Sequence, residues 1–206
     1  MTTLAKNGIK ARIFHKDPSK RLIITPIIDA DEQIGEGTID IRLGTRFILF
    51  KGRKITTLDP TEDNMGEKIR EFQERVYVPF GKQLILHPNQ FILGGSLEFF
   101  RFPTDLLGLV VGRSSWGRLG LIIEASPIIH PSFMGVLTFE FSNLSTAPIA
   151  LRPGFRIAQI AIQTVEAGEY GDIVEIVRRS RYNLSTKPEF SKIHLDSEIK
   201  KLKIIE

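Results

Sequence analysis

The clearest alternation of apolar and polar side chains lies at residues 136–142. Its apolar positions share one face and its polar positions share the other; these are, in order, Leu137, Phe139 and Phe141, and then Thr138, Glu140 and Ser142. A period of two is typical of a β-strand with one buried face. This segment therefore predicts a strand that presents Glu140 away from the core.

Short segments of similar character recur along the chain, separated by Pro and Gly. Strands are predicted over 21–28, 38–44, 47–50, 76–79, 83–87, 90–93, 106–111 and 155–163, and residues 121–123 are apolar. In the last of these, strict alternation puts Ile157, Gln159, Ala161 and Gln163 on one side and Arg156, Ala158, Ile160 and Ile162 on the other. Only a short helix over 4–13 and a helical turn within the polar segment 59–75 are expected. Many short strands at roughly 8–12-residue spacing favour an all-β barrel or sandwich, predicted here as one domain over residues 1–206.

The composition is that of a soluble globular protein, with 206 residues, 42% hydrophobic and 25% charged. The absence of cysteine excludes disulfides, a cysteine nucleophile and the His/Cys zinc site of many nucleobase deaminases. The four histidines are scattered, and no metal site is predicted. A net charge of +4 argues only weakly for nucleic acid. With no apolar run of roughly 18 residues and no signal-peptide core, we expect a cytoplasmic protein without a membrane or nucleic-acid partner.

The segment GRSSWGRLGL, residues 112–121, follows the apolar strand and concentrates arginine, serine and glycine. Serine hydroxyls and backbone N–H groups donate to anionic oxygens, and arginine adds a planar fork that fits phosphate. The segment predicts either a phosphate cradle or a glycine-bearing turn with solvated arginines. The basic segment 178–206 has two similar readings, a solvated tail or a lid that contacts a small polyanion.

Several motifs in fixed order resemble one family. GRSSWGRLGL is followed by HPSFMG (130–135), TFEF (138–141) and RPGFRIAQI (152–160), and is preceded by GTIDIRLG (37–44), LHPNQFILG (86–94) and FPTDLLG (102–108). Over roughly residues 21–192 the chain is similar to the dCTP deaminases of the dUTPase superfamily.

The resemblance implies a distorted jelly-roll β-barrel with short helical segments, assembled as a homotrimer with active sites between subunits. The tail, from about residue 180 to 206, would close over the nucleotide. The implied reaction, in pyrimidine deoxynucleotide metabolism, is hydrolysis of a cyclic amidine C–N bond. It converts dCTP to dUTP and ammonia without zinc, with Mg²⁺ on the triphosphate and with dUTP or dTTP as further possible ligands.

Deamination requires that a water molecule is deprotonated and directed at C4 of the cytosine ring. It also requires that the ring nitrogen N3 and the leaving amine are protonated. By resemblance, Glu140 moves these protons, Arg118 and Ser114 hold the water and the glutamate in register, and the Ala125 carbonyl helps to fix the water. An ordinary exposed strand glutamate is the alternative for Glu140. The catalytic hypothesis needs Glu140 inside a subunit junction, close to Arg118.

Further nucleotide contacts are implied along the same motifs. They are Arg113, Ser114 and Ser115 at the phosphates, Trp116, Gly117 and Arg118 beside them, Thr138, Phe139 and Glu140 at the base, and His130, Gln159, Tyr170, Arg181 and Ser185 elsewhere.

One position departs from the family pattern. His130 stands where most members carry an aspartate, which in related dUTPases activates the water that attacks the triphosphate. A neutral imidazole does not reproduce a fixed carboxylate, which argues against dUTP pyrophosphatase activity. The interval from Arg118 to His130 is also one residue shorter. His130 favours a non-catalytic nucleotide-binding relative as the main alternative. A dUTPase or a bifunctional deaminase-diphosphatase is a third and less favoured alternative.

Overall fold

β-Strands form most of the regular structure in the computed structural model, which describes residues 2–52, 57–124, 127–165 and 182–202. The strands are β1 (Thr2–Thr3), β2 (Ile23–Thr25), β3 (Ile39–Phe50), β4 (Gln73–Tyr77), β5 (Leu84–Leu86), β6 (Phe91–Arg101), β7 (Leu106–Gly112), β8 (Leu121–Glu124), β9 (Ile128–Ile129), β10 (Met134–Asn143), β11 (Ile149–Leu151) and β12 (Arg156–Thr164). The helices are α1 (Lys6–Ile13), α2 (Ala30–Gln33), α3 (Met65–Phe72), α4 (Ser114–Gly117) and α5 (Ser197–Leu202), with a 3₁₀ turn at Ile193–Leu195.

Ten of these strands belong to one sheet, whose main path runs β8-β10-β6-β3-β12-β7-β9. Outside this path, β1 pairs with β12, β2 with β6 and β4 with β3. A two-stranded sheet of β5 and β11 completes the fold. Every strand pair is antiparallel. The predicted all-β fold is therefore confirmed, and so is the short helix expected within residues 4–13.

The core is filled by branched aliphatic and phenylalanine side chains from both halves of the sheet. Phe47, Phe100, Phe139 and Phe141 are fully buried. The apolar face predicted for residues 136–142 is thus the core face of β10, and its polar face points away from the core.

The prediction of two strands over 38–44 and 47–50 is wrong, because β3 is continuous. Its ladder with β6 shifts register between Leu43 and Phe47 instead of ending there. A Cβ on Gly44 would lie 2.7 Å from the Ser96 carbonyl oxygen. Glycine at position 44 therefore permits the close approach of the β3 and β6 backbones at this irregularity. The prediction that the strand beginning at residue 90 ends at residue 93 is also wrong, because β6 continues to Arg101.

The strict alternation predicted for β12 is also wrong at its start. Ile157 and Ala158 are both buried although they are adjacent, because the β12–β3 register shifts between Arg156 and Ala158. A bulge of this kind turns consecutive side chains toward the same region.

Among the described helices, none is long and apolar enough to cross a membrane.

Candidate active site

The larger of two notable cavities, here the β10 pocket, has a volume of about 770 Å³, within the range of small-molecule sites. Its polar lining residues include Thr138 and Glu140 of β10, together with His130, Ser185 and Glu189. Its apolar lining residues include Phe50, Met65, Ile69, Phe72 and Phe91. Among the described residues that line it there is no lysine or arginine. The pocket suits a neutral ring better than a polyanion.

Glu140 is held by the strand pairing of β10. It lies between β6 and β8, opposite Leu93 and Glu124, and its neighbours Phe139 and Phe141 are anchored in the core. The side chain is exposed in the single chain. Within the described residues its carboxylate has no hydrogen bond or ion pair, so it is available to a ligand or a second chain. Thr138, half-buried, lies on the same face.

The tail is fastened to the start of β10 and brings Ser185 to the pocket. Val136 N–H donates to the Ser185 carbonyl at 2.8 Å, and Leu184 N–H donates to the Met134 carbonyl at 2.6 Å. The Asn183 side chain accepts from Met134 N–H at 2.7 Å. Residues 183–185 therefore extend the sheet edge and form one wall of the cavity.

The second cavity, here the α4 pocket, has a volume of about 610 Å³ and lies beside α4. Its lining residues are Asp29, Glu32, Arg42, Arg113, Ser115, Trp116, Leu119, Gly154, Phe155 and Arg156. Trp116 is fixed by donation from Nε1 to the Arg156 carbonyl at 2.9 Å. The segment 112–121 thus contains one turn of helix. It contributes Arg113, Ser115, Trp116 and Leu119 to the cavity wall.

Asp40 holds the two outer arginines of the α4 pocket. Arg113 Nη1 lies 2.8 Å and Arg156 Nη1 lies 3.1 Å from Asp40 Oδ2. The other guanidinium N–H groups of Arg113 have no partner among the described residues. Ser114, Gly117 and Arg118 are exposed around the same helix.

A single chain does not bring Glu140 and Arg118 together. Glu140 faces Glu124 at the far end of β8, whereas Gly120, next to α4, accepts from Leu144 N–H at 2.9 Å at the near end. Three strand steps separate these ends, roughly 10 Å. The proximity of Glu140 to Arg118 that the resemblance implies is therefore absent from the described part of the single chain.

The other sequence-derived site residues fall into three groups. Gln159 is half-buried on β12, cross-strand from Asp40 and Val111, and lines neither pocket. Phe139 contributes its side chain to the core, so only its backbone faces a ligand. Ala125, Tyr170 and Arg181 lie outside the described residues.

Sequence reasoning missed Asp40, Arg42, Arg156 and Glu189, which line or organise the two pockets. The first two stand in GTIDIRLG, where two charges on a strand were the available signal. No group of three or more His, Asp or Glu able to hold a metal ion occurs in the described part of the chain. Asp40 is already bound to two arginines.

Comparison with known proteins gives a consistent result. A family model described as dCTP deaminase-like matches residues 6–165. The chain is 39% identical over 182 residues to the dCTP deaminase of Halorubrum lacusprofundi, covering 86% of each chain. It is 37% identical over 182 residues to the dUMP-forming dCTP deaminase of Methanobrevibacter smithii, covering 88% of this chain and 92% of that one.

One solved structure supports the fold. The 2'-deoxycytidine 5'-triphosphate deaminase from Agrobacterium tumefaciens superposes with a TM-score of 0.58 at 23% identity. The match covers 78% of this chain but only 46% of that protein, so the chain spans about half of its length. On the family match and the full-length relatives together, the chain belongs to the dCTP deaminase-like family.

Proposed function

We propose that this protein hydrolyses dCTP to dUTP and ammonia, with Glu140 as the proton-transfer group. The observation that carries the proposal is the placement of Glu140. It rises from β10 between two core-anchored phenylalanines, has no partner among the described residues, and opens into a cavity of nucleoside size. Members of the family named dCTP deaminase supply the substrate.

The proton inventory needs only one carboxylate. Ionised Glu140 takes a proton from water as the oxygen attacks C4, and passes it to N3. The tetrahedral centre then collapses as the amine leaves with a second proton, taken from the new hydroxyl through Glu140. The balance is dCTP plus water giving dUTP plus ammonia. Because the sequence has no cysteine and the described residues contain no metal-binding cluster, we assign water activation to Glu140 rather than to zinc.

The phosphates require cations that the β10 pocket lacks. We infer that α4 of a neighbouring copy supplies them, with Arg113 and Ser115 at the phosphates and Arg118 and Ser114 beside Glu140. One chain then provides an anionic, partly apolar base pocket and the next provides donors, which is a complementary pairing. A closed ring of three copies satisfies every such site, and the nucleotide enters as its Mg²⁺ complex.

The product is proposed to be dUTP rather than dUMP. His130 lines the β10 pocket and is exposed, and no carboxylate stands at that position to activate water against the triphosphate. A relative named dCTP deaminase and one named dCTP deaminase, dUMP-forming, are similarly distant, at 39% and 37% identity. The histidine is therefore the feature that favours dUTP.

The test incubates the protein with dCTP and Mg²⁺, measures ammonia, and separates dUTP from dUMP by chromatography. Glu140→Gln should reduce ammonia release by at least about 10³-fold while nucleotide binding persists. Glu36→Gln, the same change at an exposed glutamate outside both pockets, should leave the rate unchanged. Binding of dCTP without ammonia would instead identify a non-catalytic relative, and dUMP from dUTP would identify a dUTPase or bifunctional enzyme.

A further inference from the structure

A buried carboxyl group, Glu98 on β6, lies outside both pockets and has no part in the proposed chemistry. Its side chain is fully buried. Burial raises its pKa from 4.5 to about 7, because the loss of solvation outweighs its hydrogen bonds and the nearby Arg42 charge. A buried carboxyl is destabilising unless it is well paired, so its contacts indicate what it supports.

Glu98 ties together two elements that are far apart in sequence. Oε2 accepts from Arg42 N–H on β3 at 2.9 Å, and Oε1 accepts from Gln33 Nε2 on α2 at 3.0 Å. Arg42 Nη1 lies 3.6 Å from Oε1 and donates to Gln33 Oε1. The three side chains form a closed network, with Gln33 fully buried and Arg42 nearly so.

The two elements that Glu98 joins, β3 and α2, both contribute to the wall of the α4 pocket. Arg42 lines the pocket, and α2 contributes Glu32. Gln33 Nε2 also donates to the Asp40 carbonyl at 3.0 Å. The Asp40 carboxylate in turn holds Arg113 and Arg156, while Arg156 Nη1 donates to the Glu32 carbonyl at 3.2 Å.

We propose that Glu98 is a positioning residue for the α4 pocket: by fixing Arg42 and Gln33 it sets β3 and α2 in the register that presents Arg113 and Arg156 to the phosphates of the nucleotide. This inference rests on the proposed function for its ligand. Glu98 acts through Arg42 and Gln33, and it does not touch the substrate.

The experiment compares Glu98→Gln with the wild-type protein. Steady-state ammonia release from dCTP gives kcat and KM, and calorimetry gives the dissociation constant of inorganic tripolyphosphate. We expect KM for dCTP and the dissociation constant of tripolyphosphate to rise by about two- to thirtyfold, the range typical of residues that affect a ligand without touching it. The kcat should stay within about twofold of the wild-type value. Gln33→Met, which keeps volume and removes the same link, should act in the same direction.

A matched control removes a different partly buried carboxylate. Asp105 accepts two hydrogen bonds from Arg12, away from both pockets. Asp105→Asn should lower thermal stability and leave both binding parameters unchanged. A merely structural Glu98 would behave in the same way as this control.

Three results would overturn the proposal. They are unchanged KM and tripolyphosphate affinity in folded Glu98→Gln and Gln33→Met, failure of both variants to fold while Asp105→Asn folds, and no tripolyphosphate binding by the wild-type protein. Loss of the proposed function is distinguishable from these. It would show as wild-type protein that binds tripolyphosphate, weakened by Glu98→Gln, without releasing ammonia from dCTP.

Discussion

The buried carboxyl of Glu98 should make the stability of the protein fall as pH rises toward neutrality. Its pKa in the folded chain is about 7, against an ordinary value of 4.5. Between these values the folded state binds more protons than the unfolded state, so the free energy of unfolding decreases with pH and levels off above about 7. A difference of roughly 2.5 pKa units, at 1.36 kcal/mol each, corresponds to about 3 kcal/mol.

Glu98→Gln should remove this dependence, since glutamine does not titrate. The assay is urea denaturation of both proteins near pH 5 and near pH 8, at one protein concentration because any assembly adds a concentration term. The difference in unfolding free energy between wild type and variant should shift by up to about 3 kcal/mol across that range, with wild type gaining at low pH. An equal difference in unfolding free energy at the two pH values would refute the argument, because it would mean that Glu98 has the same pKa in the folded and unfolded states.

Two further changes test the packing and the arginine pair. Gly44→Ala should lower the free energy of unfolding by more than about 2 kcal/mol, because its Cβ would meet backbone oxygens of β6 at 2.7 and 2.9 Å; Gly37→Ala, with nothing within 4 Å, should cost under about 1 kcal/mol by the same denaturation measurement. Asp40→Asn should release Arg113 and Arg156 from their shared partner and raise KM for dCTP at least about threefold more than it changes kcat; equal changes in the two constants would contradict a positioning role.

The strand that carries the proposed catalytic group could be predicted because it is simple. Residues 136–142 alternate without interruption, and Leu137, Phe139 and Phe141 are buried as the pattern requires. One buried face and one polar face leave a single register that satisfies the core. The outward direction of Glu140 follows from that register alone.

Alternation failed where the backbone departs from regular pairing. The start of β12 places Ile157 and Ala158 in the core together, because a register shift lies between Arg156 and Ala158. In β3 the boundary predicted between residues 44 and 47 is absent, and Gly44 marks a close approach to β6. A glycine in the sequence is compatible with the end of a strand and with a close backbone approach inside one. Only the position of the partner strand distinguishes the two cases.

The charges of GTIDIRLG illustrate a second limit. Asp40 and Arg42 occupy alternate positions on a strand, which a solvent-facing edge explains as well as a functional wall. Their partners come from distant segments: Glu98 is 56 residues from Arg42 along the chain, and Arg113 is 73 residues from Asp40. Hydrogen bonds over such separations are set by the order of strands in the sheet, and no local pattern encodes that order.

The β10 pocket and the α4 pocket are separate, and the proposal that two copies of the chain share one site depends on this separation. GRSSWGRLGL and TFEF stand close in sequence, yet β8 places α4 and Glu140 at its opposite ends. The β10 pocket has carboxylates and no cation among its described lining, and the α4 pocket has three arginines. A nucleoside triphosphate needs a pocket for its base and donors for its phosphates, and each cavity offers one of the two. Under the proposed function a neighbouring copy supplies the missing half, because an antiparallel strand such as β8 does not fold back to join its ends.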